Sequence, residues 1–364
     1  MKTNPFTCLV FFLFPCLAFT LQVPGAKPNR SLHLTRNELW KQQPKTGSST
    51  SLAAIWAKKD PTGVAADYPR LRIFTSMLAT LGTWHGVHNK LSPVLASSCI
   101  TLCLSLWSPG LGQAAFCGSF AGMSSAGTIF STLSSAGITA ILFEILIHRR
   151  GLFLGLGGRL GFVAFLATNA AAILHGKPPI LNTIPLAEWS KTILSLPASS
   201  LAYSAACAAI GSATTIALRE SAENSENSDN DLKDPVRAAA VIGIVAALSF
   251  SDHGSLMAYG GAFTGMSLPS RLLKGVVPGR KKVNPPGAIS ILLWYSVAGA
   301  LGGLVHAISI PLDLWAGSKW GGKAGVCAFV GVLLYRLLAK AFLVFRNMIG
   351  WNTNQNQKNY GDIY

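Results

Sequence analysis

The chain has 364 residues, of which 50% are apolar and only 12% are charged, and its mean hydropathy is +0.41. Soluble domains average about 25% charged residues, so this composition argues against a soluble globular protein and predicts a polytopic membrane protein. Stretches such as 287–301 and 324–335 are apolar on every side instead of alternating with polar residues. That pattern favours membrane-spanning helices over a β-barrel.

The formal net charge of +16 does not by itself indicate a nucleic-acid partner. Residues 1–59 contain eight Lys or Arg against one acidic residue, Glu38, so nearly half of the excess lies at the N-terminus. The remaining basic residues fall largely in short loops, where they commonly orient a protein in a membrane. No basic face carries interleaved aromatic residues, so no nucleic-acid binding is expected.

The first 59 residues have the composition of targeting segments. Residues 1–19 combine Lys2 with an apolar core that runs from Cys8 to Phe19, which predicts a signal peptide. Residues 20–59 are rich in Ser, Thr, Lys and Arg and nearly free of acidic residues, which is typical of a transit peptide. The sequence therefore predicts two successive addresses, with Ala18-Phe19 at their junction.

This order of signal and transit segments resembles the bipartite presequences of proteins sent into the complex plastids of diatoms and related algae. In that group an aromatic residue, usually Phe, follows the cleavage point, and Phe19 stands at that place here. The resemblance implies a multi-pass protein of a plastid membrane, either the envelope or the thylakoid. The alternative is an endomembrane or plasma membrane protein with an N-terminal tail.

The rest of the chain contains ten apolar segments that predict helices. They lie at residues 71–88, 93–108, 111–129, 132–148, 152–174, 198–218, 235–251, 254–272, 286–309 and 322–345. Residues 177–197 predict a loop with a short interfacial helix, 219–233 a polar linker and 351–364 a polar C-terminal tail. This division gives a first membrane unit at 60–176 and a second at 198–350.

The two units contain related motifs in the same order. Gly118-Ser119-Phe120-Ala121-Gly122-Met123-Ser124 returns as Gly261-Ala262-Phe263-Thr264-Gly265-Met266-Ser267, and the segment 157–165 returns as 321–329. Two independent matches in one order indicate a duplication. We therefore expect an all-α fold of about ten transmembrane helices in two five-helix repeats.

An odd number of spans in each repeat predicts that the second repeat is inverted in the membrane. With both termini on the inner side, basic residues favour the inner loops by roughly three to one, as the positive-inside rule requires. The second, third, seventh and eighth segments are short for a full crossing, which needs about 20 residues. Whether these four helices cross, tilt or re-enter stays open.

The first motif allows two interpretations. Glycines four residues apart let another backbone approach closely, which is how helices pack in lipid. Alternatively, the motif lines a substrate site at a helix break. The candidate substrate-binding residues are Gly118, Phe120, Gly122, Met123, Ser124, Gly261, Phe263, Gly265, Met266 and Ser267.

Several polar or ionisable residues fall within or beside apolar segments, where burial is costly and often marks function. Arg159 and Lys323 begin the last helix of each repeat, as charged gates or as side chains that reach the interface. Glu144 is either functional or a partner for Arg149. The remaining candidates for gating or proton relay are Asn169, Asp252, His253 and His306.

The sequence contains no catalytic motif, and no metal site or cofactor is predicted. Architecture therefore predicts a transporter or channel for a small solute or ion, with its site between the repeats. The expected partners are the lipid bilayer and that solute, and self-association stays open. The alternatives are a non-transporting plastid scaffold or pigment-protein assembly component, with His306 or His253 as pigment ligands, and a membrane-embedded lipid enzyme.

Overall fold

The structure is a computed structural model that describes residues 68–124, 128–176, 186–223, 231–273, 288–312, 314 and 321–348. The signal and transit segments, residues 224–230 of the polar linker and the C-terminal tail lie outside these residues. Every regular element within the described residues is a helix, which confirms the all-α class.

Twelve α-helices are described, numbered here in chain order. They are α1 (Pro69–His88), α2 (Pro93–Trp107), α3 (Pro109–Ser124), α4 (Ile129–Leu142), α5 (Arg159–Leu174), α6 (Leu186–Leu194), α7 (Ala198–Glu223), α8 (Pro235–Ser249), α9 (Asp252–Gly265), α10 (Pro269–Leu272), α11 (Ala288–Ser309) and α12 (Gly321–Met348). A π-helical segment, Phe143–Arg149, continues α4, and a 3₁₀ turn, Asp231–Lys233, precedes α8.

Prolines and caps define many of the helix starts. Helices α1, α2, α3, α8 and α10 begin at a proline, whose missing N–H has no intrahelical partner at that position anyway. The Asp234 side chain accepts hydrogen bonds from the N–H groups of Val236 and Arg237 at the start of α8. Ser251 caps α9 in the same way through the N–H of Gly254.

The predicted helix at 152–174 is wrong over residues 152–158, which is about two turns. Helix α5 begins only at Arg159, and residues 152–158 form turns. Gly151, Gly155 and Gly158 have positive φ there, a conformation that glycine adopts without strain. The apolar character of this run continues through the turns, so hydropathy gave no sign of the break.

Two other boundaries also differ from the prediction. The segment 254–272 is not one helix: α9 ends at Gly265, and α10 starts again at Pro269. Leu268 is extended because a residue before proline avoids the helical region. Helix α7 continues to Glu223, so the start of the expected linker at 219–233 is helical.

Four helical stretches are long and apolar enough to cross a membrane. They are Ile129–Arg149, Ala198–Glu223, Ile289–Ser309 and Gly321–Phe345. Large apolar side chains on them face outward, such as Phe130 at 72% and Ile289 at 75% exposure. Small polar residues such as Thr80 and Ser97 are fully buried inside. Apolar outside and polar inside is the distribution expected of a membrane protein.

The helices pack in two groups with the same internal contacts. In the first group, α1 packs on α2, α3 and α4, α3 packs on α2 and α5, and α4 packs on α5. In the second group, α7 packs on α8, α9 and α11, α9 packs on α8 and α12, and α11 packs on α12. The groups join where α2 meets α8 and where α5 meets α12. The motif helices α3 and α9 thus occupy matching places.

Candidate functional site

Four aromatic rings join the two motif helices at the centre of the fold. Phe116 and Phe120 of α3 meet Tyr259 and Phe263 of α9, and each ring contacts the other three at centroid distances of 4.4 to 5.9 Å. All four side chains are at most 1% exposed. Their mostly edge-to-face arrangement is the favoured geometry for aromatic packing. The space between α3 and α9 is therefore closed by rings.

The motif glycines on α3 are packed against α1. A Cβ on Gly118 would clash with the carbonyl oxygen of Ser76, and one on Gly122 would clash with Thr80 and Thr83. The Thr80 hydroxyl donates a hydrogen bond of 2.9 Å to the Gly118 carbonyl. On this helix the glycines therefore permit close backbone approach.

The motif glycines on α9 make the corresponding contacts with α7. A Cβ on Gly261 would meet the carbonyl of Ala208, and one on Gly265 would meet Ser212 and Thr215. The packing interpretation of both motifs thus has direct contacts behind it. Substrate binding by these glycines stays a prediction.

The last residue of each motif is tied to the other half of the chain. The Ser124 hydroxyl accepts a hydrogen bond of 2.7 Å from the N–H of Gly322. In return, the Ser267 hydroxyl accepts one of 2.8 Å from the N–H of Gly157. Each C-terminal end of a motif helix is thereby joined to the start of the second motif in the opposite group. A ligand role for these two hydroxyls remains a prediction.

The two copies of the second motif contact each other directly. Gly161 and Gly325, at equivalent positions of the motif, are packed backbone to backbone, so a Cβ on either one would clash with the other. Gly157 lies against the carbonyl of Phe263, and Gly321 lies against the carbonyl of Phe120. The starts of α5 and α12 thus meet the ends of α9 and α3 beside the four rings.

A cavity of about 160 Å³ lies next to this junction. Its wall includes Phe116, Phe120 and Phe263 together with the turn from Leu154 to Gly158 and the first residues of α5. Its polar side chains are Arg159 and Gln113. The Arg159 Nη2 atom donates a hydrogen bond of 3.0 Å to the Gln113 amide oxygen. Met266 also lines the cavity, whereas Met123 is buried in the core.

Asp234 stands beside this cavity, one residue before the lining residue Pro235. Burial raises the pKa of its carboxyl, against the opposing effect of the backbone N–H groups it caps and of Arg237. Arg237 itself pairs with Asp231 and donates two hydrogen bonds to the carbonyl of Ser105. Asp234 therefore bonds to the start of α8, and Arg237 bonds to a carbonyl near the end of α2.

Glu144 is paired chiefly with Arg72, and it also contacts Arg149, the partner that the sequence offered as one alternative. The Arg72 Nε and Nη2 atoms donate to the two carboxylate oxygens at 2.8 and 2.9 Å. The Arg72 and Glu144 side chains are only 3% and 6% exposed. Arg149 reaches the same carboxylate at 3.4 Å from a side chain that is 67% exposed. The pair holds α1 against the π-helical end of α4.

The other predicted polar residues lie away from the large cavity. Asn169 donates to the carbonyl of Phe165 in its own helix, and Asp252 is an exposed first residue of α9. His253 lies 3.1 Å from the hydroxyl of Ser204 on α7 and stacks on Tyr203. The structure therefore gives His253 contacts with α7.

His306 and Lys323 form a separate buried region near His253. His306 is 4% exposed and lines a cavity of about 10 Å³, roughly the space of one water. The Lys323 ammonium donates to the carbonyl of Ser309 at 3.1 Å. Lys323 and Arg159 begin equivalent helices, but only Arg159 faces the large cavity.

Several contributors to the site were not predicted from the sequence. Gln113 sits one turn before the motif and gave no signal on its own. Arg219 donates to the carbonyls of Gly265 and Ser267 at 2.9 and 3.1 Å, so it covers the end of α9. From the sequence alone, Arg219 was a basic residue at the end of a predicted helix, and such residues indicate only how a protein is oriented in the membrane.

No group of three or more metal-ligating side chains occurs within the described ranges. Comparisons of the whole chain with protein-family models, with curated proteins and with solved structures found no match.

Proposed function

We propose that this chain is an integral membrane transporter or channel for a small solute or ion. In this proposal, α1–α5 form one repeat and α7, α8, α9, α11 and α12 form a second, inverted repeat. The odd number of helices per repeat and the excess of basic residues in the inner loops support the inversion. The solute site lies between the repeats.

The observation that carries the proposal is the meeting of four helix ends at the repeat interface. The ends of α3 and α9 and the starts of α5 and α12 are joined there by the reciprocal serine bonds. Interrupted helices that meet between two repeats are the usual site of secondary transporters, because the free backbone groups bind solutes there. A cavity beside this junction supplies the space.

The four-ring cluster supports a gating role for Phe120 and Phe263. The two rings pack at a centroid distance of 4.5 Å and line the Arg159 cavity, so the space between α3 and α9 is closed in the described conformation. Passage requires these rings to part. Arg159 and Lys323 then serve as the cations on the two sides of the gate.

The proposed location is a plastid membrane, with both termini on the inner side. It rests on the N-terminal pattern that ends in Ala18-Phe19. No catalytic step is proposed for the chain.

Reconstitution into liposomes tests this proposal. Purified mature chain is incorporated, and the flux of anions, cations and protons is followed under an imposed gradient. We expect flux of at least one small solute, and we expect Phe120→Ala to change its rate. The matched control is Phe130→Ala, which alters a ring that is 72% exposed on the outer surface. Absence of flux for every solute would refute a transport function.

A further inference from the structure

We propose that the cavity at the start of α5 binds a small monovalent anion, held by the guanidinium of Arg159. The assignment of this anion as the transported solute rests on the proposed function. Binding itself does not, because it is an equilibrium property of the cavity in the described conformation. The size class is that of chloride, nitrate or bicarbonate.

The first step is the charge of Arg159. Its guanidinium bonds to Gln113, and it forms no ion pair with any carboxylate of the described residues. Its Nη1 atom is buried and has no hydrogen-bond partner in the part of the chain that is described. A cation that is partly buried and has no counter-charge is unfavourable. An anion in the cavity supplies the missing charge.

The second step is the donor set around the same space. Gln113 uses its amide oxygen to accept from Arg159, which leaves its NH₂ group as a donor. Helix α5 has no side-chain cap, because Gly158 stands at its N-cap with a φ of 77°. The residues from Gly158 to Gly161 line the cavity, and first-turn N–H groups have no intrahelical acceptor. All of these groups are donors, and the helix dipole adds to them.

The third step is the choice of a monovalent ligand. Only one charged side chain, Arg159, lines the cavity, so a single negative charge neutralises it. The remaining wall is mostly apolar and includes three phenyl rings, whose edges carry partial positive charge. A dianion would keep an uncompensated charge in this wall. A volume of about 160 Å³ accommodates a small inorganic anion with some water.

The fourth step is the contrast with Lys323, the equivalent residue of the other repeat. Its ammonium donates to the carbonyl of Ser309, and it does not line the large cavity. The chain thus has a cation at both equivalent positions, and of the two only Arg159 lines the large cavity. On that side, the aliphatic part of the exposed Arg271 side chain lies next to Gly155, and Arg271 does not line the cavity. Asp234, also nearby, is occupied with capping α8.

Titration of the purified full chain in detergent micelles tests the binding. Sodium nitrate is titrated against sodium gluconate at equal ionic strength, with calorimetry and thermal stability as readouts, and chloride and sulfate follow. We expect nitrate and chloride to bind and to raise the unfolding temperature, and sulfate to bind at least about ten-fold more weakly. Equal effects of nitrate, sulfate and gluconate would overturn the proposal.

Two variants locate the site. Arg159→Gln removes the cation, and we expect about 10- to 100-fold weaker nitrate binding, the usual loss for a hydrogen bond to a charged group. Gln113→Glu places a carboxylate beside Arg159 as a permanent counter-ion, and it preserves the packing. We expect an equal or larger loss in this variant, which keeps the test valid if Arg159→Gln fails to fold.

Lys340→Gln is the matched control for Gln113→Glu. It changes the net charge by the same amount at an exposed position near the end of α12. Nitrate binding should stay at the wild-type level in this control. Unchanged binding in Gln113→Glu, or an equal loss in both variants, would overturn the assignment of the site.

Liposome flux then separates the two proposals. Nitrate binding with nitrate flux, both lost in Gln113→Glu, supports both. Nitrate binding without flux of any solute supports the anion site and refutes transport. Flux of a cation or a neutral solute without nitrate binding supports transport and refutes the anion site.

Discussion

Replacement of Arg72 by Met should destabilise the protein by about 3–5 kcal/mol, because it leaves Glu144 buried without its main counter-charge. The magnitude follows from two charge-assisted hydrogen bonds, at 2.8 and 2.9 Å, between side chains that are 3% and 6% exposed. Each such bond contributes about 1.5–3 kcal/mol, so the two together give about 3–6 kcal/mol, which overlaps the range stated above. Arg149 compensates little for the loss of Arg72, because its hydrogen bond to Glu144 is 3.4 Å long and its own side chain is 67% exposed.

Chemical unfolding in detergent micelles, followed by circular dichroism, measures this effect. Arg149→Met is the matched control and should cost at most about 1 kcal/mol, as exposed ion pairs do. The double variant Arg72→Met/Glu144→Leu should recover most of the stability, because apolar replacement of both partners of a buried pair is often nearly neutral.

Equal losses in Arg72→Met and Arg149→Met would refute the pairing described here. A loss below about 1 kcal/mol in Arg72→Met would refute it too. Either result would favour the alternative in which Glu144 carries protons and is not held as part of the α1–α4 contact.

Three further predictions concern packing, helix ends and topology. Gly161→Ala should lower the free energy of unfolding by about 1–3 kcal/mol through overpacking. Gly137→Ala is the control, since a Cβ there meets nothing within 4 Å, and it should be neutral or stabilising in the same unfolding assay. Equal effects of the two substitutions would contradict the close contact between Gly161 and Gly325. Ser267→Ala should lower the free energy of unfolding by about 1–3 kcal/mol, because the N–H of the buried Gly157 loses its acceptor. A change of under about 0.5 kcal/mol would show that this hydrogen bond is dispensable. Cysteines placed at the exposed positions of Arg150 and Lys191 should react with an impermeant maleimide from opposite sides of the membrane, and labelling from one side would disprove the proposed topology.

The existence of the main helices could be predicted from the sequence because long apolar segments and helix-starting prolines act locally. Pro93 and Asp234-Pro235 mark the starts of α2 and α8 where they were expected. The late start of α5 could not be predicted, since the turns at Gly151–Gly158 are as apolar as a helix. A backbone reversal in an apolar run leaves hydropathy unchanged.

The candidate site was predictable only in part. The repeated motifs pointed to α3, α9 and the starts of α5 and α12, because duplication is visible in one sequence. The partners of single side chains were not visible. Arg72 is 72 residues from Glu144, and Gln113 is 46 residues from Arg159, and no local pattern connects such positions.

The contact between Gly161 and Gly325 also bears on how this chain could have arisen. If the two halves descend from one half-length protein that paired with itself, this glycine would have touched its own copy. Any substitution of that glycine would then have appeared on both sides of the contact at the same time. In a single chain the two positions can change separately, and the positions two residues earlier differ, Arg159 in one half and Lys323 in the other. The glycines remain alike because neither backbone leaves room for a side chain on the other.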